Sequence, residues 1–309
     1  MRVVVLGAGS LGSLFGGLLA GTDAAVTLLG TGGDHLEAVA RDGLVVAGPD
    51  GDPTTTRPGT ATDSAAAADA DLVVVCVKSY DTADAASEVA PHLGDADVLT
   101  LQNGLGNAEA LAEHVPAERV VAGTTTHGAV LEAPGRVRHA GGGDTVVGRY
   151  FAENDERVRE AAALLSRAGV ETDVTDDPES AVWTKVLVNA GINAATGLAR
   201  VENGALIESA AGERVLRRAV AEGARVARAE GVEVPADVVE QAREVARRTA
   251  SNRSSMRQDL ERGTRTEIEA LNAELVARAE TSGVDVPVNE TLTDLVRLAS
   301  QDSAGRGQS

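Results

Sequence analysis

The chain is expected to be an α/β protein, with a doubly wound parallel sheet at its N-terminal end and an all-α C-terminal domain. Three observations predict this. Over roughly the first 175 residues, short β-branched runs alternate with Ala-rich helical stretches, as buried parallel strands alternate with crossover helices. A glycine-rich turn directly follows the first of those runs. From about residue 176 to about 300 the strand pattern gives way to long helical periodicities.

In chain order, the expected strands are 2–6, 25–29, 71–77, 97–101 and 119–123, each a short apolar run bounded by turn signals. Residues 44–57 carry Pro49, Asp50, Gly51, Asp52 and Pro53 between two β-prone runs and read as a hairpin. A second hairpin is expected around Gly141-Gly142-Gly143, extending the sheet. The boundary is placed at Asp176-Asp177-Pro178, giving a dinucleotide-binding domain over 1–176 and a helical substrate and catalytic domain over 177–309. Helices are expected over 179–199, 209–230 and 236–262, with a break at Gly263, then over 265–282 and 289–300. Gly231 and Gly283 stand where helix C-caps belong. The tail after about 301, rich in Ser, Gly and Gln, is expected to fray.

With 309 residues, 43% of them hydrophobic, the chain can bury a sizeable core. Its 28 basic and 47 acidic residues leave a net charge of −19, which argues against nucleic acid or an anionic membrane as partner. No apolar stretch approaches the length of a membrane span. The single cysteine, Cys76, excludes an internal disulfide and fits a reducing, cytoplasmic compartment. Two lysines stand against 26 arginines, and aromatic residues make up 2%. Acid excess with little lysine resembles proteins of cells that hold molar salt, where screening tolerates like charge. GC-rich coding, which also replaces Lys by Arg, is the competing explanation.

Gly7-Ala8-Gly9-Ser10-Leu11-Gly12 is G-x-G-x-x-G, placed after a strand and opening a helix. In a Rossmann-type site the first glycine permits the turn, the second lets backbone approach a pyrophosphate, and the third allows close helix packing. A dinucleotide cofactor is therefore expected. An acid near the end of the second strand would select NAD(H), yet Leu29-Gly30-Thr31-Gly32-Gly33 carries none. NADP(H) is accordingly the expected cofactor and NAD(H) the alternative, because no arginine is there to hold a 2′-phosphate. Lys78, ending the third strand run, could supply positive charge to the cofactor or could be a solvated strand end.

Residues 183–196 carry the catalytic signal. On a helix, Lys185, Asn189, Asn193 and Thr196 fall at about 0°, 40°, 80° and 20°, one polar stripe among apolar neighbours. Buried polar groups need partners, either a structural network or a polar ligand. A lysine in the stripe favours the ligand, because it brings the charge that an oxyanion needs. Asn103 stands at the carboxyl end of the fourth strand, where ligands of open α/β sheets bind, though Asn-Gly is also an ordinary turn. His127 reads as structural, and no Cys/His cluster has metal-ligand spacing, so no metal site is expected. Thr264-x-x-Glu267 matches a capping box, which leaves Glu267 a cap or a functional acid.

Taken together, these segments resemble the ketopantoate reductase (2-dehydropantoate 2-reductase) family across nearly the whole chain. The resemblance rests on GAGSLG, VKSYD with Lys78, QNG with Asn103, and TTTHGA at 124–129. It continues through W-x-K-x-x-x-N-x-x-x-N from Trp183 to Asn193, ENG with Asn203, SSMRQD, and RTEIEALN. It implies NAD(P)H-dependent reduction of the C2 ketone of 2-dehydropantoate to (R)-pantoate, a step towards pantothenate and coenzyme A. By the same resemblance Lys185 is the catalytic proton donor, with Glu267 an active-site acid near the nicotinamide ribose and Asn103 touching both cofactor and substrate. Asn189, Asn193, Asn203 and Ser255 match substrate-binding positions, and Ala129 a backbone cofactor contact. The arginine that family members often carry after the second strand is replaced here by Thr31 and Gly32. Two other expectations stand beside this one: a reductase of another branched 2-oxo acid, and a non-catalytic dinucleotide sensor. A homodimer is carried as an expectation without a residue to argue it from.

Overall fold

The computed structural model describes residues 1–48 and 52–306. In chain order its elements begin β1 (Arg2–Leu6), α1 (Ser10–Leu19), β2 (Ala25–Leu29), α2 (Asp34–Asp42), β3 (Leu44–Ala47), β4 (Thr54–Thr56), β5 (Gly59–Ala61) and β6 (Leu72–Val75). Then come α3 (Thr82–Val89), β7 (Asp97–Thr100), α4 (Asn107–Ala112), β8 (Val120–Thr125), β9 (Gly128–Ala133), β10 (Arg136–Gly141), β11 (Thr145–Arg149), α5 (Glu156–Arg167) and β12 (Thr172–Val174). The remainder is helical: α6 (Pro178–Ala199), α7 (Ala205–Glu208), α8 (Ala210–Ala229), α9 (Val238–Arg248), α10 (Ser255–Arg262), α11 (Asn272–Ser282) and α12 (Pro287–Arg306). Two compact units result, one of Met1–Gln102 with Asn107–Glu179, the other of Asn103–Gly106 with the chain from Ser180 on.

In the first unit an eight-stranded sheet runs β12-β11-β8-β7-β6-β1-β2-β5. Its pairs are parallel except β11 with β8. Strand order reverses about β1, so the turn after β1 sits at a switch point, where ligands of open sheets bind. Val3 and Val5 pack with α1 residues Leu14, Phe15 and Leu19, while Val4 and Leu6 face α3 and α4 through Val89 and Leu111. Burial on both faces explains why these strands read as unbroken apolar runs.

A second, four-stranded sheet, β4-β3-β10-β9, covers the outer side of α1. Tight packing on two sides accounts for paired glycines in that helix. A Cβ on Gly16 would stand 2.4 Å from Leu28 Cδ2, and one on Gly17 2.4 Å from Val46 Cγ2. The expected hairpin over 44–57 is the antiparallel β3–β4 pair, and its turn at 49–51 lies outside the described residues. The hairpin expected at Gly141–Gly143 is not there. That segment carries the chain from β10 in the small sheet to β11 in the large one, and the hairpin turns instead at Gly135 between β9 and β10. A glycine triplet signals a sharp change of direction, not which sheet receives the next strand.

The second unit packs around α6, whose Trp183, Leu187, Ala190 and Ala194 are fully buried against α8, α9 and α11. Two expected helices are shorter than the sequence implies. The run 236–262 divides into α9 and α10, because backbone groups of the link accept from another loop: Ala250 O from the Gly204 amide at 3.0 Å and Asn252 O from the Asn203 amide at 3.0 Å. Gly263 does end α10 in a left-handed conformation. No helix starts at 265, however; a short 3-10 turn over Ile268–Ala270 precedes α11. The capping box is thereby overturned, since the Thr264 hydroxyl donates back to Asp259 O at 3.3 Å. At the other end α12 continues to Arg306, past the expected end at 300, and the last three residues of the expected frayed tail lie outside the described residues. Among the described residues no helix is long and apolar enough to cross a membrane.

Candidate active site

The glycine turn of the first unit has the shape its motif implies. Gly7 has φ +105°, a conformation L side chains rarely adopt, and a Cβ on Gly12 would stand 1.8 Å from Gly7 O. A Cβ on Gly9 would meet nothing within 4 Å. Gly9 thus leaves open space at the start of α1, whose N-terminus has no side-chain cap. Amide groups at an uncapped helix start with room in front of them suit a pyrophosphate, so the residues present fit a dinucleotide.

Two further contacts set that turn. The Ser10 hydroxyl accepts the Leu131 amide of β9 at 3.2 Å, which ties the small sheet to the first residue of α1. The His35 Nδ1 accepts the Gly135 amide at 3.0 Å, so its proton sits on Nε2 and points to the Ser13 hydroxyl at 2.8 Å. Ser13 in turn donates to Ala8 O at 3.2 Å, inside the glycine motif. Burial lowers the His35 pKa, which keeps this neutral tautomer. Neither Ser13 nor His35 carries a sequence signal for this role, because the relay joins residues 22 and 100 positions apart.

Lys78 follows β6 and precedes a 3-10 turn over Ser79–Asp81. The neighbouring chain is pinned by Gln102, whose amide donates to Val77 O and to Thr82 Oγ1, both at 2.8 Å. Ala129 lies on β9 opposite His139. His127 stacks on His139 with its Nδ1 2.9 Å from the partner Nε2, in keeping with a structural role.

In the second unit the stripe on α6 divides by depth. Lys185 and Asn189 are partly buried, Asn193 is buried, and Thr196 is fully enclosed. Burial pulls the Lys185 ammonium down to about 8, while the negative charge of Glu267 pulls it back up. Glu267 is buried and precedes the 3-10 turn at 268–270; it makes no side-chain cap. Its carboxylate accepts from Asn103 Nδ2 at 3.4 Å.

Asn103 reaches this unit because its turn is anchored there. The Leu105 amide donates to Ala270 O at 2.9 Å, and Gly104, at φ +105°, lies so close that a Cβ would meet Ala270 O at 2.6 Å. Lys185, Glu267 and Asn103 are therefore gathered in one unit from three distant stretches of chain. Ser255 is exposed at the first position of α10. Asn203 belongs to a separate network: its Nδ2 donates to Thr249 Oγ1 at 2.9 Å, and its Oδ1 is buried without a partner among the described residues. No group of three or more metal-ligating side chains occurs among the described residues.

The chain is similar to known proteins over nearly its whole length. Residues 3–151 match the family described as ketopantoate reductase PanE/ApbA, and residues 177–300 match its C-terminal domain. A 2-dehydropantoate 2-reductase of Halobacterium salinarum is 63% identical over 98% of this chain and 100% of its own. One from Pyrococcus horikoshii is 36% identical over 99% of both. The crystal structure of a PanE/ApbA family ketopantoate reductase from Ralstonia eutropha superposes with a TM-score of 0.91 at 34% identity, covering 98% of this chain and 100% of the other. With both family segments matched, and the fold shared end to end, the chain belongs to the ketopantoate reductase PanE/ApbA family.

Proposed function

We propose that the chain reduces the C2 ketone of 2-dehydropantoate to (R)-pantoate. The observation that carries this reading is the Lys185 ammonium, lowered to about 8 by burial on a helix that also presents Asn189 and Asn193. A lysine of ordinary pKa is a poor proton donor near neutrality, whereas one near 8 is protonated at pH 7 and gives up its proton readily. Lys185 would donate a hydrogen bond to the ketone oxygen and pass its proton to the forming alkoxide. Its charge stabilises that oxygen without reorganisation, because the helix backbone is already fixed.

Glu267 keeps the ammonium charged against desolvation, and Asn103 orients the Glu267 carboxylate by a hydrogen bond. Asn189 and Asn193, one and two helical turns beyond Lys185, would hold the polar remainder of the substrate, with the Ser255 hydroxyl and the Asn203 side-chain carbonyl as further donors and acceptors. The glycine turn over Gly7–Gly12, with Ser10 and Leu11 at the start of α1, would hold the cofactor pyrophosphate. Lys78 would add positive charge there and Ala129 a backbone contact. When bound, the reduced nicotinamide supplies the hydride.

Residues 30–33 present neither carboxylate nor arginine, which leaves room for a 2′-phosphate and supports NADPH. One observation favours NADH instead: Asp34, exposed in the first turn of α2, would repel that phosphate. The test is nicotinamide oxidation with 2-dehydropantoate in molar KCl, with NADPH and NADH compared. Turnover well above that with other branched 2-oxo acids is expected. Folded, cofactor-bound protein without turnover would overturn the assignment.

A further inference from the structure

The fourth group of the α6 stripe, Thr196, faces protein on every side. Its Oγ1 lies 2.8 Å from Ile192 O, 3.2 Å from Asn193 O and 2.8 Å from Ser254 Oγ. Ser254 is the N-cap of α10, and its Oγ accepts the Arg257 amide at 3.2 Å. Both hydroxyls are buried, at 0% and 6% exposure, so water cannot complete their bonding.

Each hydroxyl has one proton, and the contact between the two can run in either direction. A carbonyl 2.8 Å from Thr196 Oγ1 requires the Thr196 proton. Ser254 must then supply the proton between the two oxygens, and its lone pair is left for the Arg257 amide. All four groups are satisfied in that order and in no other. The result is a relay from the Arg257 amide through Ser254 and Thr196 to a carbonyl of α6. Beside it, a Cβ on Gly197 would stand 3.2 Å from Leu260 Cδ1 and 3.4 Å from Arg257 N, so α10 lies directly on α6 there.

We infer that Thr196 and Ser254 form a positioning pair that fixes Ser255, the first residue of α10, relative to Asn193 on α6, and thereby sets affinity for the 2-oxo acid substrate. The inference rests on the functional reading above, in which Asn193 and Ser255 hold the substrate. Thr196 touches neither substrate nor cofactor and acts only through the start of α10.

The test separates KM from kcat. Thr196→Val keeps the volume and removes the hydroxyl, leaving the Ser254 proton without an acceptor. It is expected to raise KM for 2-dehydropantoate about tenfold, with kcat within about twofold and cofactor affinity unchanged. Thr196→Ser restores the hydroxyl and should restore KM. Wild-type KM in Thr196→Val would overturn the proposal, as would parallel losses in kcat and cofactor affinity, or failure of serine to rescue. If the valine variant does not fold, Ser254→Ala removes the other half of the pair and must show the same KM rise. An inactive wild-type enzyme would overturn the functional reading itself, a result distinct from an active enzyme indifferent to Thr196.

Discussion

Asn103 donates through Nδ2 to Glu267 Oε2 at 3.4 Å, across 164 positions of sequence. The contact joins the turn after β7 to the loop before α11, and Glu267 in turn supports the charge on Lys185. Three residues from separate elements are thus linked through one carboxylate.

Lys185→Ala removes the proposed proton donor. Turnover should fall by roughly 10²–10⁴-fold, while cofactor affinity stays near wild type. Steady-state kinetics and calorimetric titration of the cofactor check both halves. Near-wild-type turnover would take Lys185 out of the mechanism.

The proposed mechanism needs Lys185 protonated for reduction, and burial brings its pKa down to about 8. The rate of reduction should hold below that pH and fall as pH rises through it, about tenfold per unit beyond. Oxidation of pantoate needs the neutral amine and should rise over the same range. A reduction rate unchanged between pH 7 and 10 would contradict this assignment.

Glu267→Gln deletes the charge that raises the Lys185 pKa. Burial then acts unopposed, and the descending limb of the reduction profile should move to lower pH. A profile that stays in place, or moves up, would show that Glu267 does not act on the lysine.

The second and third glycines of the motif should separate folding from binding. In Gly9→Ala the new methyl meets nothing within 4 Å and φ is an ordinary −76°, so the melting temperature should hold. The methyl projects into the proposed pyrophosphate site, and cofactor affinity should drop at least about tenfold. Gly12→Ala would place Cβ 1.8 Å from Gly7 O and should destabilise the unit itself. Thermal melts with and without cofactor distinguish the two.

A net charge of −19 spread over one chain repels itself. The screening length drops from about 10 Å at 0.1 M salt to about 3 Å at 1 M, so the melting temperature should rise steeply with KCl. A melting curve indifferent to salt would leave GC-rich coding as the explanation of the composition.

The parallel strands, the glycine turn and the Lys185 stripe were all legible in the chain, because each is a local pattern. Strands buried on both faces must be continuously apolar, a phosphate turn must have glycines at fixed offsets, and one helix face repeats every three or four residues. What could not be read locally was the use to which each polar group is put. Thr264 and Glu267 have the spacing of a cap, yet no helix begins there, and Glu267 turns to Lys185 and Asn103 instead. Thr196 shares a stripe with Lys185 but bonds to Ser254, 58 positions away. The glycines at 141–143 end a strand as expected, but only strand pairing decides that the next strand joins the other sheet. Sequence by itself determined the buried parallel strands, the glycine turn and the polar face of α6. Tertiary structure decided the partner of each hydroxyl, amide and carboxylate, because a buried polar group bonds to whatever the fold brings within about 3 Å, however distant in the chain.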